Sequence, residues 1–83
     1  MTKFKIGDIV KIRSWEDMAE EFGTTGFEST ITCKYYFTYA MKPLCGAYAE
    51  IIKIDGDIVE LRFFNGIKNE GNYTISFDMI EKA

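Results

Sequence analysis

The sequence predicts an α+β fold that is mostly β: one small, strongly bent sheet of four or five short strands, with a single amphipathic helix inserted after the first strand. Three features carry that expectation. Apolar and charged residues alternate from Phe4 to Arg13 and pass without a linker into a helix start at Ser14. The dipeptide Asp55-Gly56 sits between two runs rich in β-branched residues. The 83 residues are 47% hydrophobic and 16% aromatic, which is needed in a chain short enough to bury about 60–65% of its unfolded surface. With no repeat, low-complexity tract or linker, residues 1–83 are expected to form one domain.

The first strand is read from Phe4 to Arg13, with Ile6, Val10 and Ile12 on one face and Lys5, Lys11 and Arg13 on the other. Gly7-Asp8 is a bulge or tight bend near its beginning. Ser14 followed three positions later by Asp17 resembles a capping box, and Glu16 and Asp17 suit the positive end of the helix dipole. The helix should run to about Phe22 and end at Gly23. Trp15, Met18, Ala19 and Phe22 fall at i, i+3, i+4 and i+7, so they share a face that docks on the sheet, leaving Glu16, Asp17, Glu20 and Glu21 to solvent.

Thr24 to Ser29 reads as a loop, and Ile31 to Phe37 as an extended segment. Thr38 is placed to cap a short helical turn over Tyr39 to Leu44, which Pro43 keeps short and Gly46 closes. Ala49 to Ile54 and Asp57 to Phe63 flank Asp55-Gly56 as a two-residue type I′ hairpin. Asn65 to Asn72 is a surface turn, Tyr73 to Ser76 a last strand, and Phe77 to Ile80 a single turn whose Met79 and Ile80 plug one end. This count of elements suits a small SH3-like barrel.

Chemistry is excluded more readily than assigned. The absence of histidine removes the commonest general base and metal ligand, and with them every Ser-His or Cys-His pair. Cys33 and Cys45 lack a zinc-site spacing and read as reduced packing residues rather than a disulfide. No glycine-rich phosphate loop is encoded by Gly7 or by Gly66 and Gly71. Asp55 and Asp57, and Glu16, Glu20 and Glu21, read as solvated acids, because catalytic carboxylates need an enclosing apolar pocket. The expectation is a non-enzyme without metal or cofactor. No apolar run is long enough to span a bilayer, and Met1 to Ile12 lacks the form of a secretory signal.

The formal charge of −3 is too acidic for an ordinary nucleic-acid module. Residues 1–13 carry Lys3, Lys5, Lys11 and Arg13 against Asp8, a local +3, whereas residues 14–28 carry Glu16, Asp17, Glu20, Glu21 and Glu28 with no base, a local −5. Tyr35, Tyr36, Phe37 and Tyr39 form an aromatic cluster in which alternation puts Tyr35 and Phe37 on one face and Tyr36 on the other.

The run Phe4-Lys5-Ile6-Gly7-Asp8-Ile9-Val10-Lys11-Ile12-Arg13, followed by Trp15 and Met18, then Met41 with Leu44-Cys45-Gly46, the Asp-Gly hairpin and Ser76-Phe77-Asp78-Met79-Ile80, resembles a family of short bacteriophage and prophage proteins of Gram-positive bacteria. That resemblance implies an SH3-like barrel, and with no secretory signal in the sequence the expected address is the cytoplasm of the bacterial host. The reading is a protein-binding module whose candidate contacts are Glu16, Asp17, Glu20, Glu21, Tyr35, Tyr36 and Tyr39. Its special case is an anti-CRISPR-type inhibitor that occupies the basic channel of a host defence nuclease. The alternative is a nucleic-acid-binding barrel using Lys3, Lys5, Lys11 and Arg13, with Tyr35 or Tyr36 stacking on bases. Monomer and homodimer both stay open, since unpaired strand edges invite self-pairing.

Overall fold

In the computed structural model, which describes residues 4–26 and 29–83, the elements follow in this order. They are β1 (Ile9–Ile12), α1 (Trp15–Phe22), β2 (Thr24–Thr25), β3 (Thr30–Ile31), β4 (Phe37–Thr38), a 3-10 helix (Tyr39–Leu44), β5 (Tyr48–Asp55), β6 (Ile58–Phe63), β7 (Ile75–Ser76), a 3-10 turn (Phe77–Met79) and β8 (Ile80–Lys82). The expected positions of Lys3, Phe27 and Glu28 lie outside the described residues. Five antiparallel strands in the order β7-β6-β5-β1-β8 make a strongly curled half-barrel, and β2-β3-β4 make a separate small sheet.

Val10 and Ile12 are fully buried in β1, which lies between β5 and β8. The strand starts later than its alternation suggests. Asp8 accepts the Lys5 N–H on its carboxylate (3.0 Å) and donates its own N–H to the Lys5 carbonyl (3.1 Å), while Gly7 takes φ +96°. This closed turn leaves Ile6 63% exposed instead of inward. The helix forms as its sequence dictates: the Ser14 hydroxyl accepts the Asp17 N–H (3.1 Å), Met18 is fully buried, and Gly23 at φ +80° donates to the Ala19 carbonyl.

The extended run predicted for Ile31 to Phe37 is folded back on itself. Ile31 pairs with Phe37 across a turn at Cys33 to Tyr36, and Thr24-Thr25, read as loop, pairs along the other side of β3. A straight strand would have put Tyr35 on the same face as Ile31 and Phe37. The reversal buries Ile31, Cys33 and Phe37 and leaves Tyr35 and Tyr36 outside. The following 3-10 helix has three residues per turn, which brings Met41 and Leu44 to the core together; Thr38 precedes it without a side-chain capping bond.

The hairpin of β5 and β6 turns at Gly56-Asp57, one residue later than expected, and only Gly56 of the pair has positive φ (+64°), the pattern of a II′ rather than an I′ turn. A bulge at Ile52 shifts the register between Ile51 and Lys53. Without it Lys53 would follow Ala49 and Ile51 inward; with it Ile54 faces Val59. Ile80 to Lys82, read as the end of a turn, is a strand that pairs with β1, and the predicted strand Tyr73 to Ser76 shortens to Ile75–Ser76.

Because Ala49, Ile51 and Ile54 alternate regularly once Ile52 is removed, deleting Ile52 is expected to cost less stability than Met18→Ala, which empties a fully buried site at about 2–5 kcal/mol. Urea unfolding of the two variants checks this ranking.

Candidate functional site

The acidic helix is less acidic outwardly than its sequence. Arg13, its side chain 13% exposed, donates through Nε to Asp17 (2.9 Å), through a terminal nitrogen to Glu21, and through the other to the Asp78 carbonyl (2.9 Å). The Phe22 ring lies beneath the guanidinium at 5.4 Å. Burial works against the charge of Arg13, but the hydrogen bonds it donates to Asp17 and Glu21, together with their negative charges, outweigh it and hold its pKa above the ordinary value. Asp17 and Glu21 are therefore engaged within the protein. Glu16 and Glu20 make no ion pair among the described residues.

The basic first strand is neutralised in the same way. Lys11 pairs with Glu81 (3.4 Å) and lies 6.0 Å from the Tyr48 ring, Arg13 is taken by the helix, and Asp8 beside Lys5 also holds Lys82 (3.2 Å). The hydrogen bond from the Lys5 backbone, opposed by partial desolvation and aided by Lys82, keeps the Asp8 carboxyl below its usual range.

The three tyrosines singled out in the sequence have three different environments. Tyr35, 37% exposed, donates its hydroxyl to Asp57 (2.9 Å), which also pairs with the Lys34 ammonium. The Lys34 N–H donates to Asp78 (3.1 Å), whose other oxygen accepts from Ser76. Tyr35 thus belongs to a clasp that fastens the 33–36 turn to the hairpin and the 3-10 turn. Asp57, expected to be a solvated acid, is held below its usual pKa by the Lys34 and Tyr35 hydrogen bonds, and Tyr35 is raised by Asp57 in return. Tyr36 is 57% exposed at φ +59°, with no side-chain partner among the described residues.

Tyr39, 58% exposed, is the tyrosine that joins a larger surface. Its ring meets Trp15 edge-on at 5.7 Å, Trp15 leans on the fully buried Phe37 at 6.1 Å, and the Lys42 ammonium lies 5.2 Å from Tyr39 and 5.8 Å from Trp15. Tyr39, Ala40, Lys42 and Pro43 line an open, mainly apolar depression of about 440 Å³. Glu16 borders this ledge through its neighbour Trp15, and its charge reaches Cys45, a half-buried thiol raised chiefly by burial and then by Glu16. Sequence spacing offered no sign that Trp15 shares a surface with Tyr39, whereas the i,i+3 spacing of Tyr39 and Lys42 in the expected turn and the i,i+4 spacing of Arg13 and Asp17 did offer a sign of their contacts.

No group of three or more potential metal-ligating side chains occurs among the described residues. No helix among them is long and apolar enough to cross a membrane. Both thiols are free, with Cys33 buried. No family model matches the chain, and neither a curated protein nor a solved structure matches it.

The clasp gives a pH dependence with a definite sign. A carboxyl whose folded pKa is depressed contributes stability that is present above its unfolded pKa and lost as pH falls through the folded value. Thermal stability is therefore expected to decline as pH drops below about 4. Asp57→Asn, which removes one depressed carboxyl, lowers stability at neutral pH and makes that acid decline shallower. A melting series from neutral to acid pH on both proteins reads the two slopes.

Proposed function

We propose that the chain is a non-enzymatic protein-binding module on an SH3-like barrel, with Tyr39 at the centre of its contact surface. Support for the barrel comes from connectivity. The meander β5-β6-β7 continues through a 3-10 turn into β8, which returns beside β1, as in the five-strand order of SH3-like folds. The helix, the small sheet and the 3-10 helix all fall in one long insertion between β1 and β5. That insertion carries the ledge.

One observation carries the functional reading: Tyr39 is largely exposed yet held in place by Trp15 and Lys42. An aromatic side chain immobilised before binding loses little conformational freedom on contact, and aromatic residues are enriched among those that dominate protein interfaces. The nucleic-acid reading has less support, since Lys11 and Arg13 are paired with acids and Tyr35 is bonded to Asp57. In the phage-derived, nuclease-inhibiting form of this proposal the contacts to a basic channel would be Glu16 and Glu20, because Arg13 already occupies Asp17 and Glu21.

Affinity capture from a bacterial host lysate, with and without nuclease, tests the proposal. A protein partner retained after nuclease treatment, and bound at least about tenfold more weakly by Tyr39→Ala, is the expected result. Capture that disappears with nuclease, or that is indifferent to Tyr39→Ala, overturns it. For the inhibitor form, Glu16→Gln with Glu20→Gln is expected to slow association at low salt and to matter less at high salt.

A further inference from the structure

The far edge of the sheet holds a second feature, independent of the ledge. The bond from the Phe64 N–H to the Tyr48 carbonyl (3.0 Å) fixes which peptide groups of β6 face β5. In an antiparallel ladder those groups alternate, so Arg62 also faces β5, whereas Val59, Leu61 and Phe63 present N–H and C=O to the other side. Val59 is met by Ile75 of β7. Continued, that register would bring Tyr73 opposite Leu61 and Gly71 opposite Phe63.

It does not continue, because Tyr73 is already paired. Its N–H donates to the Asn69 side-chain oxygen (2.9 Å), and its carbonyl accepts from the Asn69 side-chain nitrogen (2.9 Å). The carboxamide thus takes the place of a neighbouring strand's peptide group. Asn72 at φ +49° turns the chain away, and the Tyr73 ring covers Gly71 where a Cβ would stand. The N–H and C=O groups of Leu61 and Phe63 are left without a protein partner among the described residues. They open into a groove of about 800 Å³, walled by Leu61 and Phe63 on one side and by Ile67, Lys68, Asn69 and Tyr73 on the other.

We propose that this groove binds an extended segment of another polypeptide, which adds to β6 as a strand alongside Leu61 and Phe63. Two donor–acceptor sets spaced two residues apart are the repeat of a strand, and an extended backbone is the complement that satisfies both. Alternation then sets the side-chain chemistry of the occupant. Apolar side chains at every second position meet Ile67 and Tyr73, and polar ones between them meet Glu60 and Lys68, neither of which has an ion-pair partner among the described residues. A second copy of this chain pairing edge to edge would bring its own 64–74 loop against the loop wall opposite β6, so a separate extended segment is the occupant that fits.

The test starts from a random heptapeptide library selected against the intact protein. Selected peptides are expected to alternate apolar and polar residues, and at saturation to slow hydrogen exchange of the Leu61 and Phe63 amides by at least about tenfold. N-methylation of the peptide at the amides facing β6 should weaken binding at least about tenfold, while N-methylation at the intervening amides leaves it nearly unchanged. Tyr39→Ala should not affect it, which separates this site from the ledge. The inference is overturned if no heptapeptide is selected, if selected peptides leave those two amides unprotected, or if N-methylation is equally harmful at both sets of positions. It is likewise overturned if the amides are already protected in the free protein, whether through closure of the 64–74 loop or, as protein concentration rises, through self-pairing.

Discussion

Arg13 stands where strand becomes helix, and its position controls what the rest of the insertion can do. It reaches Asp17 and Glu21 on the helix and the Asp78 carbonyl on the 3-10 turn, with Phe22 beneath it, so one guanidinium ties α1 to the closing end of the half-barrel. Exposed ion pairs contribute little, but this side chain is mostly shielded and its planar fork makes three directed bonds. Removing it would leave two carboxylates close together on one helix face without a counter-charge. The orientation of α1 fixes Trp15, and Trp15 fixes Tyr39.

The same interaction explains why a formal charge is a poor guide to this surface. Residues 1–13 read as basic and residues 14–28 as acidic, yet the two stretches are adjacent in space at the Arg13 junction and cancel there. Lys11 with Glu81, and Lys82 with Asp8, repeat the cancellation across β1 and β8. What remains unpaired on α1 is Glu16 and Glu20, a smaller charge than the sequence suggests.

Elements that depend on neighbours in sequence were legible; those that depend on distant partners were not. The helix from Trp15 to Phe22, with its Ser14 cap and Gly23 end, needs only local bonds and an apolar stripe, and the hairpin needs only a turn residue between two β-rich runs. The fold-back between Ile31 and Phe37 was hidden because a run of β-branched and aromatic residues is equally compatible with one strand or two, and burial of Ile31 and Phe37 together decides between them. β8 was missed because a strand of three residues has too little alternation to register, and β1 supplies its reason to exist. The tyrosine cluster was found as a cluster, but its division into a clasp, an exposed ring and a ledge rests on Asp57 and Trp15, both far away in sequence.

The Lys68 to Tyr73 segment connects the two surfaces of the molecule. On one side it walls the groove along β6; on the other, Lys68, Asn69, Glu70, Gly71 and Tyr73 face Ala40, Pro43 and Leu44 across a narrow gap of about 170 Å³. Its shape is held by the Asn69 carboxamide on the Tyr73 backbone and by the absence of a side chain at Gly71 beneath the Tyr73 ring. Were Asn69 to release Tyr73, the peptide groups of Tyr73 would be free to meet those of Leu61, lengthening β7 at the expense of the groove. The backbone donors of β6 therefore stay open because a side chain of the same loop outcompetes them. That competition is decided by a single asparagine on a segment that also backs the 3-10 helix from which Tyr39 projects.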